Sequence, residues 1–220
     1  MDKLRILIAK EFQLELRRQS VLSGLILYLV SIVFICYLTF SLRQNLITPQ
    51  VWSALFWITM LFTGINAVAK SFIGERKGRD IYYYSISSPG SIIISKIIYN
   101  FLLCLFMSLA GLLLFILFLG NPVHDQFLFS IVVVLTSLNF ATSLTLLSSI
   151  ASKTSSSHII MAVLGFPVVI SILLLAIRTT KNCMDGLDRS VSWDGILMLA
   201  AINCLVTAVS YLLFPYIWRS

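Results

Sequence analysis

Side chains able to ligate a metal, attack an electrophile or carry a proton are few in this chain: two histidines, four cysteines and nine carboxylates in 220 residues. Cys36, Cys104 and Cys204 lie inside apolar runs and Cys183 in a polar stretch, with no CxxC or CxxCH anywhere. That pattern encodes no disulfide framework, zinc site or covalent haem attachment, and the three embedded cysteines read as small packing residues. His124 follows Asn121-Pro122 and His158 opens an apolar run, so neither stands beside a second ligand. No GxxxxGK[ST] loop is present to cradle nucleotide phosphates, no HExxH, no GxSxG and no carboxylate pair within an apolar run. The expectation is a non-catalytic chain with no metal site and no covalently bound cofactor.

The charged residues suit contact with a partner better than catalysis. In residues 1–20, Leu4, Leu7, Ile8 and Phe12 recur at three- and four-residue spacing, with Lys10, Gln13 and Arg17 opposite. This predicts an amphipathic helix lying on a membrane surface. Glu11 and Glu15 stand one helical turn apart, and carboxylates add nothing to a positively charged anchor, so they suggest a partner with basic groups. A second segment, 70–96, mixes Glu75, Arg76, Lys77, Arg79 and Asp80 with Tyr82, Tyr83 and Tyr84, then breaks at Ser88-Pro89-Gly90. It is longer than a bare connector needs, and Arg and aromatic residues dominate binding hot spots. The plainer alternatives are a topology anchor for the first segment and a tyrosine belt among solvated charges for the second.

The elements that must position these residues are membrane spans. With 59% hydrophobic residues, 11% charged and a mean hydropathy of +0.96, the chain is excluded as an ordinary soluble domain or a disordered one. Six apolar runs are long enough to cross a bilayer: about 21–42, 51–69, 97–119, 127–151, 158–177 and 196–217. Each must be helical, because hydrocarbon cannot satisfy an open backbone. The first run is too long for a signal peptide and has no small-x-small cleavage site. Twelve of the sixteen Lys and Arg residues fall in the N-terminal segment, the 70–96 loop, the turn after the fourth span and the C-terminus. The expected orientation puts that side and both termini in the cytoplasm, with the net charge of +7 facing anionic lipid, not nucleic acid. Asn66, Asn100, Asn139, Asn203 and the Ser/Thr run from Thr136 to Ser149 suit interhelical hydrogen bonds, and predict that the fourth span is buried. Pro167 predicts a kink in the fifth span, either static or a hinge.

Six spans, termini inside, an interfacial first helix and a long loop between spans two and three resemble an ABC-2-type permease subunit. Within that superfamily the chain resembles the CcmB haem exporter permease family, in three stretches. They are Lys10-Glu11-Phe12-Gln13-Leu14-Glu15-Leu16-Arg17-Arg18; Phe72, Glu75, Gly78, Ser88-Pro89 and Lys96 followed by Tyr99-Asn100; and Ser148 to Thr154 running through His158 into Leu164-Gly165-Phe166-Pro167-Val168-Val169-Ile170. The chain departs from the family in having Ser155 and Ser156 where basic residues are frequent. It also lacks a further proline shortly before Pro167.

The resemblance implies an all-α polytopic permease domain over 1–220 in a bacterial inner membrane, present as two copies with a CcmA-like ATPase that holds the ATP. It implies CcmC-like and CcmD-like membrane partners and release of a haem-loaded, CcmE-like chaperone on the periplasmic side for c-type cytochrome maturation. The ATPase-coupling interface would comprise Glu11, Glu15, Arg17, Phe72, Glu75, Arg76, Asp80, Ser88, Pro89, Gly90 and Lys96, with Pro167 as hinge. His124 is the candidate for touching haem as cargo. Other expectations kept open are a permease of the same class exporting a lipid-linked glycan or drug, and a non-transport membrane scaffold.

Overall fold

Backbone amides and carbonyls inside hydrocarbon must be paired within their own segment, which leaves helix as the conformation for each apolar run. The computed structural model describes residues 2–17, 19–41, 47–68, 72, 88–154, 157–186 and 189–219, and among these every long element is helical and none is a strand. They form α1 (Asp2–Arg17), α2 (Gln19–Ser41), α3 (Pro49–Val68), α4 (Pro89–Leu119), α5 (Gln126–Ala151), α6 (Ser157–Met184) and α7 (Arg189–Arg219). Six of them, α2 to α7, contain stretches long and apolar enough to cross a membrane. The architecture is that of a multi-pass membrane protein.

Three boundaries differ from the hydropathy reading. α4 begins at Pro89, well ahead of Ile97, so the last part of the 70–96 segment is helix and Lys96 belongs to α4. The start is locally encoded: Ser88 is extended (φ −70°, ψ 145°) and its hydroxyl accepts from the Ser91 amide, while Pro89 opens the helix with no amide to satisfy. α6 continues past Ile177 to Met184, because Thr179 and Thr180 turn inward and are fully buried. Cys183 is therefore a buried helical residue, not part of a polar loop. α7 starts at Arg189, ahead of Ile196.

α5 is the most buried span and packs against α3, α4, α6 and α7. Association in lipid lacks a hydrophobic drive and relies on close packing and interhelical hydrogen bonds, which its polar residues supply. The Asn100 amide on α4 donates to Thr145 (2.8 Å), Ser137 donates to Ser108 (3.0 Å), and the Asn139 amide donates to the Leu199 carbonyl of α7 (3.0 Å). At the end away from α1, Trp52 and Phe56 stack on each other at 5.4 Å, and each also meets the rings of Phe115 and Phe129 within 6.3 Å. The indole N–H groups reach further: Trp52 donates to the Gly120 carbonyl (3.1 Å) and Trp57 to Thr180 (2.9 Å).

α6 and α7 cross closely at Gly195. A Cβ there would collide with the Thr179 hydroxyl and lie 3.3 Å from both carbons of that side chain. Thr179 is β-branched and its hydroxyl already donates to the Leu175 carbonyl (2.9 Å), so it has little freedom to move aside. Gly195→Ala is expected to destabilise the bundle by about 1–3 kcal/mol through overpacking. Gly24→Ala, where nothing lies within 4 Å, should leave it unchanged. Thermal unfolding of both variants in detergent checks the pair; equal midpoints would mean that α6 and α7 do not cross at Gly195.

Candidate functional site

Among the described residues one cation is almost completely buried. Lys96, one turn beyond Ile92 on α4, is 1% exposed, and an ammonium in such surroundings requires compensating groups. Glu11 of α1 supplies a carboxylate 3.5 Å away, itself only 11% exposed and also paired with Lys10 at 2.8 Å. Phe72 presents its ring face 4.6 Å from the Lys96 nitrogen, a cation–π arrangement. Phe72 is held in turn by the Phe214 ring of α7 at 5.5 Å and by its amide, which donates to the Ser148 hydroxyl of α5 at 3.3 Å. The next residue of α1, Phe12, meets Tyr99 of α4 edge to face at 5.2 Å. Groups from α1, α4, α5, α7 and the segment leaving α3 thus converge on one positive charge.

Three residues expected at an interface, Glu11, Phe72 and Lys96, are therefore in one cluster. The basic partner that Glu11 called for is in the same chain. Ser88, Pro89 and Gly90 form the capped start of α4, and Gly90 lies beneath the Tyr211 ring of α7, where a Cβ would come within 2.6 Å of it. The side chains of Glu15 and Arg17, and all of Glu75, Arg76, Lys77, Arg79, Asp80 and Tyr82 to Tyr84, lie outside the described residues. α6 runs unbroken through Pro167, whose carbonyl accepts from the Ser171 hydroxyl at 2.8 Å.

His124 is exposed in the turn between α4 and α5, and no group of three His, Cys, Asp or Glu residues among the described ones could hold a metal ion. A cavity of about 440 Å³ opens near that turn, walled by Tyr37, Trp52, Phe118 and Asn121 among others, but His124 is not one of its walls.

The end remote from α1 is fastened by a residue that motif reading passed over. Asp125 caps α5 by accepting from the Leu128 amide (3.1 Å), donates its own amide to the Cys183 carbonyl of α6 (3.2 Å), and pairs with Arg189 at the start of α7 (2.7 Å). The hydrogen bond from Arg189, and after it that from the Leu128 amide, hold the Asp125 carboxyl below the usual carboxylate value. An Asp directly before an apolar run is a helix-start signal, so this cap was readable from sequence; its cross-links to α6 and α7 were not.

Compared with family models, curated proteins and solved structures, the chain matches none.

The Glu11–Lys96 pair is testable by a double-mutant cycle. Glu11→Gln, Lys96→Met and the double variant should show a coupling of about 1–3 kcal/mol in unfolding free energy, and each single variant should expose α1 to trypsin at Lys10. Coupling indistinguishable from zero would remove the pair as the fastening of α1. For Asp125 the sign follows from its lowered native pKa: the stabilisation is complete above the ordinary carboxylate value of about 3.9 and is lost as pH falls through the native value. Asp125→Asn should therefore melt below wild type at neutral pH, with the two curves converging under acid; a constant gap across the acid range would reject the ionised cap.

Proposed function

We propose that this chain is the membrane-spanning subunit of an ABC-2-type permease, working with a separate ATPase that docks where α1 meets α4. The observation that carries the reading is the Glu11–Lys96 clamp: an interfacial helix and the segment at Phe72 share one buried cation with the main bundle. A displacement of either is felt by α4, α5 and α7 without any new contact being made. Twelve of sixteen basic residues belong to segments at this end, which favours a cytoplasmic placement with both termini inside. The sequence has no phosphate-binding loop, so ATP is assigned to the partner.

Within this class, the resemblance of residues 10–18, 72–100 and 148–170 to the CcmB family favours haem delivery in c-type cytochrome maturation. In that reading two copies sit with a CcmA-like ATPase and CcmC-like and CcmD-like partners in a bacterial inner membrane. Closure of the ATPase pushes on the segment between Phe72 and Lys96, α1 shifts on the membrane surface, and the spans relay the movement to release a haem-loaded chaperone, with Pro167 as hinge. The subunit transmits motion, and haem stays on the partners as cargo. The test is gentle purification of the tagged chain from its native membrane with mass spectrometry of what accompanies it. An ATPase together with a haem-handling membrane protein is the expected result. An ATPase with glycan-processing enzymes would replace the substrate but keep the class, and no ATPase would overturn the permease reading in favour of a scaffold.

A further inference from the structure

Between α4 and α7, in the half of the bundle that contains Lys96, runs a groove of about 440 Å³. Ile93, Ile94 and Ile97 form one wall, and Cys204, Ala208 and Tyr211 rise along the other. The two small side chains, Cys204 and Ala208, are exposed and leave the slot open to the surrounding hydrocarbon. At one end the Tyr211 ring closes down on Gly90, a contact that any side chain at position 90 would block. The other end stops near Asn203, whose amide is turned toward Thr142 of α5 at 3.4 Å.

Size and charge decide what fits. From Asn203 to Tyr211 the groove follows α7 for about 12 Å, and a helix about 10 Å across would fill roughly 900 Å³ over that length. That is about twice the space present, so a neighbouring helix could lie over the mouth of the groove but not fill it. A flexible apolar chain can. By sequence count the segments that flank this end carry twelve of the sixteen basic residues against five carboxylates, Lys10 and Lys153 among the described ones, whereas the segments that flank the other end are neutral. Such a field attracts anionic headgroups. Tyr211 lines the groove with its ring and brings its hydroxyl beside Gly90 at the start of α4, and such an amphipathic side chain suits a lipid's ester region.

We propose that this groove binds one acyl chain of an anionic phospholipid from the leaflet at the basic end of the bundle. The site does not depend on the permease reading.

The full-length chain, exchanged into detergent with mixed vesicles of phosphatidylglycerol and phosphatidylcholine, is examined by native mass spectrometry. One phosphatidylglycerol per chain should be retained, at least fivefold over phosphatidylcholine. Ala208→Trp, which fills the slot, should cut retention at least tenfold, while Leu205→Trp, on the exposed face of the same helix, should not. Cys204→Phe provides a second filling variant if Ala208→Trp does not fold. Equal retention in the filled and control variants, or no preference for the anionic lipid, would overturn the proposal. So would a lipid-free dimer that Ala208→Trp dissociates, which would make the groove a contact between copies.

Discussion

A buried ammonium cannot be left alone in a membrane protein, and the basic end of this structure is arranged around that constraint. Lys96 is 1% exposed, and a carboxylate and an aromatic face are brought to it from separate parts of the chain. Covering it ties α1 to α4 at Glu11, and the same turn of α1 brings Phe12 onto Tyr99. It also requires Phe72 to lie between Lys96 and Phe214, which joins the exit from α3 to the far wall of the bundle. An amphipathic helix with only lipid beneath it would keep its rotation free; α1 does not, because turning it would take Glu11 away from Lys96.

The bundle itself is held differently. α5 shares side-chain hydrogen bonds with α4, α7 and the amide of Phe72, and each such bond between helices in lipid contributes only on the order of 0.6 kcal/mol. Several of its polar atoms are not fully used: Thr136 Oγ1, Asn139 Oδ1 and Ser143 Oγ have no hydrogen-bond partner among the described residues. Thr136 and Ser143 are seven residues apart and so share one face of the helix, with Asn139 adjacent. Asn139 bonds the Leu199 carbonyl of α7 from this face, so a small shift of α7 along it can exchange hydrogen bonds instead of simply breaking them. Packing at Gly195 on Thr179 limits how far such shifts go before side chains collide.

The helical content and the number of spans were legible because apolar runs of bilayer length admit one backbone solution. The burial of α5 was legible for a related reason: Asn139, Thr142 and Thr145 would be costly facing lipid and useful facing helices. The boundary of α4 was misplaced because Lys96 was treated as the end of a connector, a sound rule for an unpaired charge that fails once Glu11 covers it. That Glu11 needed a basic partner could be read from its chemistry, but nothing in local spacing ties residue 11 to residue 96. Cys183 was misread likewise, since Arg178 to Asn182 look like a loop unless Thr180 is known to meet Trp57. Pairings between distant segments are a property of the folded bundle, whereas periodicity reports only on the neighbours of each residue.

The two ends of the molecule are held by different kinds of contact. The end remote from α1 is joined by directional bonds that each need a fixed geometry: two indole N–H groups, the Asp125 cap and its Arg189 pair, all set among stacked rings. The basic end is gathered around one ammonium on a flexible four-carbon stem, with the Phe72 amide on Ser148 and the ring contacts of Phe72 with Phe214 and Phe12 with Tyr99 packed about it. Between them stands α4, 31 residues long and therefore about 46 Å, longer than the hydrocarbon is thick. α4 therefore connects the two sets of contacts, from Lys96 beside Glu11 at one end to Phe115 and the capping Gly120 beside Trp52 at the other.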